Sequence, residues 1–398
     1  MSKRLSSVVA ASILVGAMLL ATGSVAIAAP VTPAFTITAD RAASVPAGHT
    51  WAFNDFFPRS ATIATGSSFQ FTNEGFHTAT LLPASWSVAA DNDVNGALAA
   101  DVDDAQHNPN GTIKSVFNIP ALMPVPAQGC GTAETPCEFD GSSIVSMGAP
   151  LGPPAPFVVK VTAPPGTYAF HCRVHPGMVG TLTVVAADAA GTTTAASADA
   201  AAAAQATEDV AAGMAAETAA STAGKSTNAN GTTTWKLTAG TSDPAGRVAI
   251  LEMLPKSVSI KKGDTVVWRP LDRNEPHTIT FPKTLGSSFI PLCEGPGGKD
   301  TPAVPTVVPP TGPFDFACNG GPVHELELTG GNGVTTITSP TTVSDSGIVG
   351  YRSEAFGFDL PINAIRTSWW VRFTGAKAGT YNYVCMIHEG MAGTIVVK

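Results

Sequence analysis

Apolar and polar residues alternate in short runs at matching places in the two halves of this chain. Phe157, Val159 and Val161 alternate with Val158, Lys160 and Thr162, and Trp369, Val371 and Phe373 alternate with Trp370, Arg372 and Thr374. Each run predicts a strand with one apolar face. A glycine turn follows at Gly166 and at Gly379. On the next predicted strand Tyr168, Phe170 and Cys172 share a face, as do Tyr381, Tyr383 and Cys385. Earlier in each half, Phe57-Pro-Arg-Ser-Ala-Thr-Ile63 with Gly66 and Phe69-Gln-Phe71 matches Leu254-Pro-Lys-Ser-Val-Ser-Ile260 with Gly263 and Val266-Val-Trp268. In both copies two alternating runs joined by a glycine turn predict two strands, so the chain reads as a duplicated all-β unit.

Two stretches break the pattern. Residues 1–29 carry Lys3 and Arg4, then an apolar run from about Val8 to Leu20, then Ala26-Ile27-Ala28 as a small-residue cleavage site. That is the layout of a secretory signal peptide, which places the mature protein outside the cytoplasm: periplasmic, at the cell surface, or secreted. No later stretch reaches the roughly 18 apolar residues a membrane-spanning helix needs. Residues 188–232 are dominated by Ala, Thr, Ser and Gly and read as a linker between domains at 30–187 and 233–398. The Ala-rich centre, 197–220, has high helix propensity, and both a semi-rigid helical spacer and a flexible coil are open to it. Gly213 weakens the helix.

Composition agrees with a turn-rich β chain: 39 Gly, 32 Pro and only 13% charged residues. The formal charge of -8 becomes about -10 once Lys3 and Arg4 leave with the leader. This argues against nucleic acid as a partner and for basic docking partners.

The chemistry sits at the ends of the Cys-bearing strands. Tyr168-Ala-Phe-His-Cys-Arg-Val-His-Pro-Gly-Met178 and Tyr381-Asn-Tyr-Val-Cys-Met-Ile-His-Glu-Gly-Met391 share the spacing Cys-x2-His-x2-Met. Cys172, His175 and Met178 therefore match Cys385, His388 and Met391. A thiolate, an imidazole and a weak thioether suit copper, and the blue-copper arrangement adds a second His. Each half supplies one well upstream, His77 in Phe76-His77-Thr78 and His277 in Pro276-His277-Thr278.

These ligand sets, the Gly-Asp-Thr-Val-Val-Trp run at 263–268 and the Gly-Thr-Tyr run before each Cys resemble the cupredoxin (blue-copper, plastocyanin and amicyanin-like) family. The resemblance implies two Greek-key β-sandwiches, each with one copper at its tip, and electron exchange with redox partner proteins. It also gives Thr78 and Thr278 the task of linking the ligand loops, and makes His175 and His388 exposed electron ports. Pro176 against Glu389 is the clearest difference between the loops, and a carboxylate beside the second site is expected to lower its potential relative to the first.

The spans from His77 to Cys172 and from His277 to Cys385, 95 and 108 positions, are about twice those of plastocyanin-like members. Each insertion is rich in Pro and Gly and holds two more cysteines, Cys130 with Cys137 and Cys293 with Cys318. In an exported chain these read as disulfides stapling long loops that lack a core of their own; such loops would frame the copper end as a docking surface. His49, His107 and His324 read as solvated loop residues. His171, directly before Cys172, occupies the place of a catalytic-copper ligand in copper nitrite reductases. That enzyme would need further histidines, and the position five after His77 is Leu82. Eight histidines with no His-x-His pair disfavour a multicopper oxidase. The reading is an exported two-copper electron carrier and not an enzyme; the alternatives are extracytoplasmic copper storage or delivery, and a nitrite-reductase-like activity using His171.

Overall fold

The computed structural model describes residues 29–95, 119–126, 129–150, 155–175, 177–283, 335–342, 344–346, 349–350 and 367–398, with short strands of backbone at 292–295, 298–303 and 323–324. The expected leader, through residue 28, lies outside the described residues. So do His107, Pro176, Cys318 and the side chains of Cys293 and His324, and with them the expected Cys293–Cys318 bridge.

Each half is a β-sandwich. One sheet of the first half runs, in order, Phe56–Phe57, Thr36–Ala39, Ser68–Asn73, Phe157–Val161 and Cys137–Phe139; the facing sheet runs Ser60–Ala64, Val179–Val185, Gly166–His171, Thr80–Leu81 and Val145–Ser146. The second half repeats this order with Val248–Leu254, Thr233–Ser242, Thr265–Leu271, Trp369–Arg372 and Thr335–Thr336 against Ser257–Ile260, Ala392–Val397, Gly379–Val384, Thr280–Phe281 and Ser344–Asp345. In both halves the first strand pairs parallel with the strand that leads to the upstream His. The Cys-bearing strand is antiparallel to the last strand and to the short strand that follows that His. Inward-facing aromatic and branched side chains fill each sandwich: Phe35, Phe56, Phe69, Phe71, Phe139 and Phe170 in the first, Trp268, Phe281, Trp369, Phe373, Tyr381 and Tyr383 in the second.

The described part of the first insertion joins the core. Cys137–Phe139 adds an edge strand to one sheet and Val145–Ser146 to the other, and Leu122, Cys137, Phe139 and Val145 belong to the first core. The Cys130–Cys137 disulfide forms as expected, but it anchors a segment that already has apolar contacts.

The Ala-rich stretch is a helix, Ala195–Ala220, opened by a capping box in which Thr194 and Ser197 exchange side-chain and backbone hydrogen bonds. It is not an isolated spacer. Its Ala198, Ala202, Ala206 and Ala220 are buried, and Ala202, Ala206 and Ala220 join Trp51, Phe53, Phe57, Val248, Ile250 and Leu254 in a third apolar cluster drawn from both halves. Small side chains let the helix backbone approach the sheets closely. Polar contacts reinforce the seam: Gln205 donates to Phe56 O at 2.6 Å, and Arg59 pairs with Asp55 and Asp209 at 2.5 Å each. A first-half strand, Trp51–Phe53, pairs antiparallel with Val248–Ile250 at the edge of the second half's sheet. Gly224–Thr227, at the end of the expected linker, pairs with Thr233–Lys236. No helix among the described residues is long and apolar enough to cross a membrane.

Candidate metal centres

Strand alternation carries Cys172 and Cys385 to the core side, each one residue past its strand, and both are fully buried. The following loop then closes on itself. Cys172 N–H donates to Met178 O at 3.0 Å and Met178 N–H to His175 O at 2.9 Å; Cys385 N–H donates to Met391 O at 2.9 Å and Met391 N–H to His388 O at 3.3 Å. His77 arrives on a loop that Asn73 braces by donating to His77 O at 2.6 Å. His277 is pinned by a two-way backbone pairing with Val349. The threonine after each upstream His joins the two loops as expected. Thr78 Oγ1 accepts from Arg173 N–H and Thr278 Oγ1 from Met386 N–H, both at 2.8 Å.

These loops bring together three of the four residues expected at each centre. His77, Cys172 and His175 form one group and His277, Cys385 and His388 another, with ligand atoms within 4.8 Å of one another in each. In the first, His77 Nδ1 lies 2.9 Å from His175 Nδ1, and Cys172 Sγ lies 3.9 and 3.6 Å from them. In the second, Cys385 Sγ lies 3.6 Å from His388 Nδ1. Two backbone N–H groups point at each sulfur: Thr78 and Val174 at 3.3 and 3.4 Å from Cys172, Thr278 and Ile387 at 3.4 Å from Cys385. Met178 and Met391 are buried in the same cores as the cysteines.

Burial opposes charge on every one of these groups, and their mutual interactions override it in most. Hydrogen bonds and charge from His175 and His77 hold the Cys172 thiol well below its ordinary value, and His277 and His388 do the same for Cys385. Against burial, Glu275 and Cys172 raise His175 well above its ordinary value, and Cys385 with Glu275 brings His388 to about 10. The upstream histidines differ. His77 is raised despite burial, by Asp40 and Cys172, whereas burial leaves His277 lowered.

Sequence reasoning missed the carboxylates behind this. Asp40 Oδ2 lies 3.6 Å from His77 Nε2, and Asp272 Oδ2 lies 3.9 Å from His277 Nε2. Burial and the neighbouring Glu275 push the Asp272 carboxyl well above its ordinary value, while His175 and His388 hold Glu275 well below its own despite burial. Glu275 stands between the halves, with His175 Nε2 at 2.8 Å from one oxygen and His388 Nε2 at 3.4 Å from the other. This corrects the expectation of exposed ports: His175 is buried, and both port histidines turn their outer nitrogens toward the same carboxylate. A signal for Glu275 was present. From Phe71 to His77 is six positions and from Trp268 to His277 nine, so the second loop is longer, and it carries Asp272 and Glu275.

Of the remaining histidines, His171 takes the packing place weighed for it against a second copper site, and His49 departs from expectation. His171 is fully buried, its Nε2 2.8 Å from Asp91, which Arg173 grips with two nitrogens at 2.8 and 2.9 Å. It sits in a buried polar cluster beside the Arg173–Asp91 ion pair, its Nδ1 without a hydrogen-bond partner among the described residues. His49 is not a solvated loop residue: its Nδ1 meets Glu217 of the long helix at 2.7 Å, and Glu252 lies close by. Those carboxylates are engaged by Trp51 Nε1, Thr50 N–H and Lys256, which makes the trio a clamp on the helix.

The donor set itself tests whether a metal fits. A thiolate with two imidazoles is a soft set suited to copper. At the second centre both ring nitrogens of His277 are buried without a hydrogen-bond partner, an arrangement that costs about 1–3 kcal/mol per group when nothing occupies them. A metal at one nitrogen removes that cost.

No protein-family profile matches the chain, and no curated protein does. Solved structures that it resembles include auracyanin B, 20% identical over 39% of this chain and 91% of that one with a TM-score of 0.22. They also include reduced auracyanin from Roseiflexus castenholzii, 19% identical over 39% and 98% with a TM-score of 0.21, and a purple cupredoxin from Nitrosopumilus maritimus, 17% identical over 38% and 99% with a TM-score of 0.16. All three TM-scores are low, so the β-sandwich class stands on the strand order and register given above.

Proposed function

We propose that this cupredoxin-like chain is an exported electron carrier with one mononuclear copper in each of two domains, 30–187 and 233–398. The ligands are His77, Cys172, His175 and Met178 in the first and His277, Cys385, His388 and Met391 in the second. One observation carries the reading: a buried thiolate and two imidazoles converge within 4.8 Å twice, on equivalent loops of equivalent sandwiches. When bound, copper supplies a one-electron couple.

The chain's own residues do the rest. Backbone pairing across the loops and the Thr78 and Thr278 bridges hold the ligands in one arrangement, so the two oxidation states meet the same geometry. The N–H groups aimed at each sulfur favour the thiolate and tune the potential. Ligands this deeply buried support transfer of electrons over release of the metal, so the carrier reading is preferred to a store. His171 is committed to Asp91, which leaves it a structural role in place of an enzymatic one. The leader-like N-terminus and the Cys130–Cys137 disulfide support export, since such bonds persist in oxidising compartments.

The test is visible absorption and copper content of the copper-loaded mature protein. Two coppers per chain with an intense thiolate-to-copper band, halved in Cys172→Ala and likewise in Cys385→Ala, are expected. Copper without the band would support storage, and no copper would remove the reading.

A further inference from the structure

The two candidate centres do not face solvent independently. His175 Nδ1 faces Cys172 Sγ at 3.6 Å and His388 Nδ1 faces Cys385 Sγ at 3.6 Å, so in each ring Nε2 points away from its centre. Both outer nitrogens then meet Glu275, at 2.8 Å on Oε1 and 3.4 Å on Oε2. The result is a continuous path, Cys172 to His175 to Glu275 to His388 to Cys385, made of covalent bonds and short polar contacts, that crosses from one half to the other. Resting on the electron-carrier reading, we infer that Glu275 is a shared bridge that couples the two centres, so that an electron entering at one passes to the other within the chain.

Three features support a built bridge over a chance interface contact. Glu275 is held by its own loop: its backbone N–H and that of Asn274 both donate to Asp272 Oδ1, at 3.1 and 3.0 Å. Asn54 of the first half, itself buried, donates to Glu275 Oε1 at 3.2 Å. The loops are also packed against each other, since a Cβ on Gly177 of the first ligand loop would lie 3.3 Å from Asn274 Oδ1. A carboxylate that accepts the outer N–H of a ligating His orients the ring and makes it more basic. Here one carboxylate does so for two rings, which ties their orientations together.

The transfer balances as a single electron. Copper held by His77, Cys172 and His175 in one centre and by His277, Cys385 and His388 in the other would supply it, the donor going from I to II and the acceptor from II to I, with no bond made or broken and no proton transferred. The first electron comes from a one-electron reductant, protein or small molecule, outside the chain. Glu275 touches no metal in this scheme, so it is a positioning residue acting through the two histidines.

The experiment uses the full chain, with Glu275→Gln as the conservative variant and Glu275→Ala as the complete one. Cys172→Ala and Cys385→Ala each leave a single centre, and supply reference electron paramagnetic resonance spectra. Two measurements follow. In each single-centre background, Glu275→Gln is expected to raise the reduction potential, because one negative charge is lost beside both rings. In the two-centre protein, less than one equivalent of reductant followed by freeze-quenching reads redistribution between centres. That rate should be independent of protein concentration, and about tenfold or more slower in Glu275→Gln and Glu275→Ala, the scale on which such supporting residues act. Potentials that shift at only one centre, or a redistribution rate that neither variant changes, would overturn the bridge while leaving two blue-copper sites in place. Absence of the thiolate-to-copper bands from the unmutated chain would overturn the carrier reading and the bridge with it.

Discussion

Asp40 and Gly240 occupy equivalent positions, each just past an Ala on the first strand of its sheet and each with a left-handed backbone, φ 64° and 72°. Asp tolerates that conformation better than most side chains; Gly takes it freely. The difference reaches the metal site. Asp40 sets a buried carboxylate against His77, while at Gly240 the His277 ring occupies the space a Cβ would need. Asp272 comes nearest to replacing that carboxylate, but burial and the neighbouring Glu275 push its carboxyl well above the ordinary carboxylate range. Glu389, the carboxylate that the sequence singles out beside the second centre, is exposed and screened by water. The expected order of potentials is therefore the reverse of the one read from the loops: the first centre should be the lower of the two. Asp40→Asn should raise the potential of the first centre and leave the second unchanged, which separate spectroelectrochemical titration of the Cys385→Ala and Cys172→Ala proteins would check. The two His and one Cys that converge at each candidate centre were legible because they recur in two copies with one spacing. Asp40 was not, because it acts on a histidine brought to it only by tertiary folding, and Glu275 left only the longer loop before His277 as a trace, its two histidine partners being set by folding as well.

Among elements, the long helix is the one whose role the sequence concealed. Composition correctly gave it helix propensity, but the absence of large apolar side chains argued for a free spacer. Small residues serve here as the contact surface itself. At Gly213 an added Cβ would lie 2.8 Å from Trp51 and 2.9 Å from Val248. On propensity alone Gly213→Ala should stabilise by about 1 kcal/mol, yet the packing opposes it. Gly213→Leu is expected to destabilise by about 1–3 kcal/mol through overpacking, and thermal unfolding followed by circular dichroism measures it; an unchanged or raised midpoint would show that the helix is not seated as described. The strands, by contrast, were visible from alternation, since an open face and a buried face leave a period of two in the chain. The edge strands Cys137–Phe139 and Val145–Ser146 were not, being too short to show any period.

At the scale of the molecule, the halves share structure. The cluster of Trp51, Phe53, Phe57, Val248, Ile250 and Leu254 belongs to neither sandwich alone, and the strand Trp51–Phe53 leaves the first half to extend a sheet of the second. Sequence duplication naturally reads as two domains on a tether. Their joining depends on residues such as Trp51 and Val248 that look like ordinary core positions until the pairing is seen. The chain should therefore unfold as one calorimetric transition. Trp51→Ala, which removes the largest side chain at the seam, should cost about 3–5 kcal/mol and lower the midpoint reported by both centres. Two separate transitions in the unmutated protein would contradict this.

The pairing of Ala52 with Ala249 joins positions nearly two hundred residues apart. During synthesis the first half emerges with the edge of that strand unpartnered until the second half follows. Contacts this distant in sequence close slowly, because the loop entropy is lost before the contact is gained. The same strand that unites the finished molecule is thus an exposed edge for part of its birth, and the order of emergence decides how long other chains have to find it.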